Sequence, residues 1–177
     1  MQTRLVLSVL LISALFSAVG SAPAAGSRAR WRAANEAELR RIIPARAAVI
    51  TENIETEFRT ASGVTDGKDR FIAGVVMITA GYSAEGKYSH FFITQAPLSI
   101  GNALLPPGEY VFGTQRIGND AIRVSFYRAS NGEKVADAEA RINRKSSGVR
   151  SLLIMPPVGG KALIQIGRFN FEYRVTE

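Results

Sequence analysis

From Val49 onward this chain repeats with a period of two, and that alternation constrains its fold more than any other feature. The clearest run is at the C-terminal end, where Phe169, Phe171, Tyr173 and Val175 alternate with Arg168, Asn170, Glu172 and Arg174. Side chains on a strand point to opposite faces in turn, so this spacing predicts a strand with one dry and one wet face. Further runs are expected at Ile54–Arg59, Tyr88–Gln95, Glu109–Ile117, Ala121–Arg128, Val135–Ile142, Val149–Met155 and Lys161–Gly167. Phe71–Ala80 is apolar at almost every position, as in a strand covered on both faces. In the Val135–Ile142 run, small Ala136, Ala138 and Ala140 share a face.

Turn signals fall between these runs. Asp66-Gly67, Glu85-Gly86, Gly118-Asn119, Asn131-Gly132 and Gly159-Gly160 each supply residues suited to tight turns, and Asn131-Gly132 is the strongest hairpin signal. Eight or nine short strands in one chain predict an all-β antiparallel β-sandwich, with a β-barrel as the alternative. No repeat of fixed length is visible, which argues against a propeller or solenoid.

Ahead of the strands, Asn35 and Glu38 match a capping box, so a short helix carrying Leu39, Ile42 and Ile43 is expected before Pro44. Further upstream, Arg4 precedes an uncharged apolar stretch from Leu5 to Val19, followed by small residues from Gly20 to Ala25. That order is the pattern of a secretory signal peptide, too short to span a bilayer. The expected organisation is a signal peptide at 1–24, a basic N-terminal arm with a short helix at 25–46, and a β-sandwich domain at 47–177. The protein is expected to be exported, either periplasmic or secreted.

Charge is unevenly spread. Without Arg4 the chain has 21 basic and 15 acidic residues, a net of +6. Residues 27–46 carry six arginines against Glu36 and Glu38, a net of +4, which leaves only +2 for the rest. Arg28, Arg30, Arg32, Arg40 and Arg41 are therefore candidates for contact with an anionic membrane or polysaccharide surface. A second basic group is Arg141, Arg144, Lys145 and Arg150. An exported chain without a nucleic-acid-binding motif is not expected to bind nucleic acid.

The chemistry available is narrow. Cysteine is absent, which excludes a lipid-anchored lipobox, a cysteine nucleophile and a thiolate metal site. His90 is the only histidine, and no Gly-x-Ser-x-Gly elbow accompanies it. The Asp66–Asp69 turn lacks the spacing of a calcium loop, and no metal or cofactor is expected. Glu55, Glu57, Glu109, Asp137 and Glu139 lie on expected strands, but nothing in the sequence pairs two of them for hydrolysis. Candidate ligand contacts are Tyr82, in the Gly81-Tyr82-Ser83 turn, with Tyr88 and His90, which alternation places on one face with Phe92 and Thr94. Phe91 and Phe92 should point to opposite faces.

The segment Leu104-Leu105-Pro106-Pro107-Gly108-Glu109-Tyr110-Val111-Phe112 resembles the LPPGxYxF/L hairpin of secreted β-sandwich domains of the carboxypeptidase-regulatory, transthyretin-like type. It is also similar to an LPAGxY strand in bacterial exported proteins. Two prolines would stiffen the turn, Gly108 would supply an unrestricted φ, and Tyr110 and Phe112 would enter the core. The resemblance implies an exported, as a rule non-catalytic β-domain. The leading expectation is a binding protein for an envelope or extracellular ligand or partner, ahead of a barrel-like carrier of a small apolar ligand and a carboxylate-dependent hydrolase.

Overall fold

The computed structural model describes residues 31–144, 148–159 and 161–176. The expected signal peptide at 1–24, together with Arg28, Arg30 and Lys145, lies outside the described residues. The chain enters through β1 (Arg32–Ala33), α1 (Glu36–Ile42), β2 (Arg46–Val49), β3 (Glu52–Thr65) and β4 (Phe71–Met77). It continues through β5 (His90–Thr94), β6 (Leu98–Ile100), β7 (Ala103–Leu105), β8 (Gly108–Arg116) and β9 (Ala121–Arg128). β10 (Lys134–Ile142), β11 (Arg150–Ile154), β12 (Lys161–Gly167) and β13 (Phe169–Val175) complete it.

These strands form one antiparallel sheet in the order β1-β3-β4-β5-β8-β9-β10-β13-β12-β11. The sheet curls until β11 lies against β3 and β4, so the fold is a nearly closed barrel rather than two stacked sheets. Every long alternating run of the sequence contains a strand, and the Asn131-Gly132 turn joins β9 to β10 with Gly132 at φ 71°. The short strands β1, β2, β6 and β7 carry too few residues to show a period.

Closure is incomplete at one seam. Between Glu57 and Ser62, β3 advances five residues while β4 retreats only from Val76 to Gly74, so β3 bulges away from the ladder. Thr60 patches the gap by accepting the Val76 N–H at 2.9 Å. β11 fills the space beside the bulge, where the Ile154 N–H donates to Ser62 Oγ at 2.9 Å. Gly74 makes room for it, because a Cβ there would lie 2.9 Å from Leu152 Cδ2.

Two apolar cores result. The barrel interior is filled by touching rings, with Phe112–Phe126 centroids at 4.9 Å, Phe92–Phe126 at 5.7 Å and Phe126–Phe171 at 6.0 Å. Tyr110 and Tyr173 are buried there too, and each hydroxyl donates to a backbone carbonyl, of Pro106 and Met155 respectively, at 2.6 Å. The second core lies on the outer face of β4 and β5, where Leu39, Ile43, Val49 and Ile54 cover Val75, Phe91 and Val111. Phe91 and Phe92 thus point to opposite faces and both are buried.

The N-terminal arm packs onto the barrel where it is described, with β1 paired to β3 and Leu39 and Ile43 of the helical segment in the outer core. α1 has the capping box, with Glu38 N–H to Asn35 Oδ1 at 2.9 Å and Asn35 N–H to Glu38 Oε2 at 2.8 Å. A helix of two turns is unstable alone, and here burial of Leu39 and Ile43 holds it, at about 1.5–3 kcal/mol per buried side chain. Trp31 packs against the interior cluster with Arg70 over its ring.

The LPPG segment differs from its expected form. β7 pairs with β6 while β8 pairs with β5 and β9, so Pro106 and Pro107 turn a corner between strands that are not partners. Gly108 keeps a negative φ, and Tyr110 and Phe112 are buried as expected.

At the β2–β3 turn, Ile50 holds φ 55° with half its surface exposed. A β-branched residue in the left-handed region is strained. Ile50→Asn should raise unfolding free energy by about 1 kcal/mol in urea titration, and a loss instead would show that the side chain's packing outweighs the strain.

Candidate functional site

The candidate site is a cleft that forms because β10 parts from β13. The two strands pair only at Arg141↔Asn170 and Ile142↔Phe169. Beyond that point β13 pairs instead with β6, from Tyr173↔Ile100 to Val175↔Leu98. The β6–β7 hairpin therefore sits in the fork. Its tip touches β10 through Gly101, which holds φ 57° and would place a Cβ 2.4 Å from the Asp137 carbonyl oxygen. Small Ala136, Ala138 and Ala140 on the inner face of β10 leave the space open.

Two cavities adjoin at Gly101, Ala138 and Glu139. One, of about 450 Å³, lies between Ser99, Phe171, Glu172 and Arg174. The other, of about 560 Å³, lies between Asn102 and Ala103 on one side and Lys134–Asp137 on the other. Both are depressions open to solvent rather than enclosed cavities. Phe171 and Ala138 form an apolar floor, and the rim is charged. Lys134 Nζ pairs with Asp137 at 2.7 Å, Arg141 with Glu139 at 2.5 Å, and Arg174 with Glu172 at 2.8 Å. The Arg174 hydrogen bond lowers the Glu172 pKa. Burial works against ionisation of Asp137, but hydrogen bonds from Lys134 and Ser125 outweigh it and lower that pKa as well.

The residues marked out by sequence lie elsewhere and are not brought together. Tyr82 is half-buried against the outer core and donates to Glu55 at 2.5 Å. That bond, followed by the Arg46 guanidinium, holds the Glu55 carboxyl down to about 2. Tyr88 precedes β5 rather than beginning it. The Lys87 carbonyl comes so close to Gly113 that a Cβ there would lie 2.0 Å from it, and Tyr88 turns into the outer core beside Tyr127. His90 alone of the three faces the barrel interior, so the expected shared face with Tyr88 is not formed.

The His90 ring stacks on Phe112 with centroids 4.5 Å apart and an angle of 9°. Its Nδ1 lies 2.8 Å from Ser89 Oγ and its Nε2 lies 3.4 Å from the Ser151 carbonyl. That network assigns the Nε2–H tautomer, with the Ser89 hydroxyl donating to Nδ1. Burial holds the pKa down to about 4, so the ring is neutral at pH 7.

The arginines are largely engaged as well. Arg32 forms a two-pronged pair with Glu38 at 2.6 and 2.9 Å, and Arg40 pairs with Glu36 at 2.7 Å while lying over Phe58. Arg41 is exposed on α1. In the second basic group, Arg144 pairs with Asp120 and Arg141 with Glu139. Asp66 accepts from the Lys68 and Arg70 N–H groups and from Arg70 Nε, which makes the turn a closed hairpin loop. Among the described residues no group of three or more His, Asp or Glu could hold a metal ion.

Comparison with protein-family models, curated proteins and solved structures finds no match to this chain. Fold and site together define a nearly closed antiparallel β-barrel with a charged-rimmed cleft in its wall.

Proposed function

We propose that this protein is an exported, non-catalytic binding domain that takes its ligand in the β6–β7/β10/β13 cleft. The carrying observation is the fork in the sheet, which places paired donors and acceptors around an apolar floor. Ser99, Lys134, Asp137, Glu139, Glu172 and Arg174 can exchange their mutual contacts for the hydroxyls of a polar ligand, and Phe171 and Ala138 meet its apolar face. A segment of envelope polysaccharide has that chemistry. The leader pattern supports export.

The alternatives have less behind them. A carrier needs interior space, and the barrel interior is packed with phenylalanine rings. A hydrolase needs a carboxylic acid with a raised pKa, whereas the shifts at Glu38, Glu55, Glu57, Asp66, Asp137 and Glu172 are all downward.

The test is a glycan array probed with the chain lacking residues 1–24. Ser99→Trp, which fills the cleft from the rim, should weaken the strongest signal at least tenfold. The triple variant Arg32→Gln, Arg40→Gln, Arg41→Gln should leave it unchanged. The opposite result would move binding to the N-terminal segment and overturn the proposal.

A further inference from the structure

The seam beside β11 differs from the rest of the barrel wall. Most neighbouring strands of the wall are joined by ladders, but β11 meets the β3 bulge through one hydrogen bond, Ile154 N–H to Ser62 Oγ. Its other polar tie across the seam runs from the Ser151 carbonyl to His90 Nε2 on β5. On the β12 side the ladder also slips, between Arg150 and Leu153. Among the described residues β11 is thus held on its β3–β4 side by few polar ties, and one of them is to the chain's only histidine.

We infer that protonation of His90 loosens the seam, so that β11 lifts from β3 and β4 under mild acid while the rest of the barrel stays closed. The argument is one of charge burial. His90 is packed between Phe112, Val76 and β11. Influences on its protonation are burial and the Ser151 carbonyl, with no ionised partner among them. Glu57 lies one strand further along the same cross-strand row, beyond Val76, and is held by Arg59. Arg150 on β11 is exposed, and Lys87, preceding β5, is exposed with its ammonium over the Tyr88 and Tyr127 rings. A proton on Nδ1 could still be accommodated by Ser89, whose hydroxyl would turn to donate to the Phe112 carbonyl at 3.4 Å. The hydrogen bonds survive, but the imidazolium stays buried with no carboxylate among its contacts. Lifting β11 hydrates it.

The sign follows from linkage. A histidine pKa held at about 4 when closed and near 6.5 when hydrated means that the open form binds the proton more tightly. Opening is therefore unaffected above pH 6.5 and grows as pH falls toward 4. Between pH 8 and pH 5 the open population should rise about thirty-fold.

Hydrogen exchange measured by mass spectrometry at pH 8 and pH 5, corrected for intrinsic rates, tests this on the chain lacking residues 1–24. Exchange in Arg150–Ile154 should accelerate about thirty-fold while β9 stays protected. His90→Gln, which keeps a side-chain donor without a titrating ring, should abolish the acceleration. Ser62→Ala should raise exchange of β11 at both pH values and leave their ratio unchanged, and it carries the test if His90→Gln does not fold. Equal acceleration in β9 would show global unfolding, and no acceleration in β11 would show a seam indifferent to acid. Either would overturn the inference.

Discussion

Phe112→Ala is expected to lower the unfolding free energy by about 3–5 kcal/mol, read as a shift in the urea midpoint at constant slope. Phe112 is fully buried and is the ring on which the interior is organised. It stacks on His90 at 4.5 Å and meets Phe126 at 4.9 Å and Phe92 at 6.4 Å. Truncation removes the apolar transfer term and leaves a cavity that flanking strands, fixed by their ladders, cannot close. Because domains of this kind are stable by only about 5–15 kcal/mol, such a loss threatens folding at 37 °C. Phe169→Ala is the matched comparison. Phe169 is half-buried under Arg116, and its loss should cost about 1 kcal/mol. The result bears on function. A cost below about 1 kcal/mol at Phe112 would mean that the interior is loosely filled, and the reading of the barrel as a carrier would regain support.

Legibility in the sequence tracks how local each interaction is. The β13 strand was readable because four apolar residues alternate with four polar ones, and its interior residues Phe171 and Tyr173 are buried. The α1 cap was readable because Asn35 and Glu38 are three residues apart and satisfy each other. Tyr88 was misplaced because the period counted from His90 breaks at Ser89, where the chain leaves the turn and the Lys87 carbonyl presses on Gly113, 26 positions away. The cleft left almost no trace. It arises where β13 exchanges one neighbour for another, and β6 and β7 are three residues each, too short to show alternation. The one local sign was the row Ala136, Ala138, Ala140. Small residues on an inner face leave room, but only the fork in the sheet decides that the room opens outward.

Gly101 should be the most sensitive glycine of the cleft, and three substitutions separate the reasons. Gly118→Ala meets no atom within 4 Å and needs no positive φ, so it should be neutral or stabilise by about 0.5 kcal/mol through the unfolded chain. Gly86→Ala also meets nothing, but at φ 73° it should cost about 1 kcal/mol. Gly101→Ala carries both penalties, a φ of 57° and a Cβ 2.4 Å from the Asp137 oxygen, and that neighbour is backbone held in the β9–β10 ladder. The expected cost is about 2–4 kcal/mol. Relief can come only if the β6–β7 tip moves off β10, which separates the two cavity walls and should also abolish the glycan signal. Chemical denaturation of the three variants at neutral pH decides the matter. If Gly101→Ala costs no more than Gly86→Ala, the hairpin tip does not press on Asp137 in solution, and the cleft lacks the fixed walls that selective binding requires.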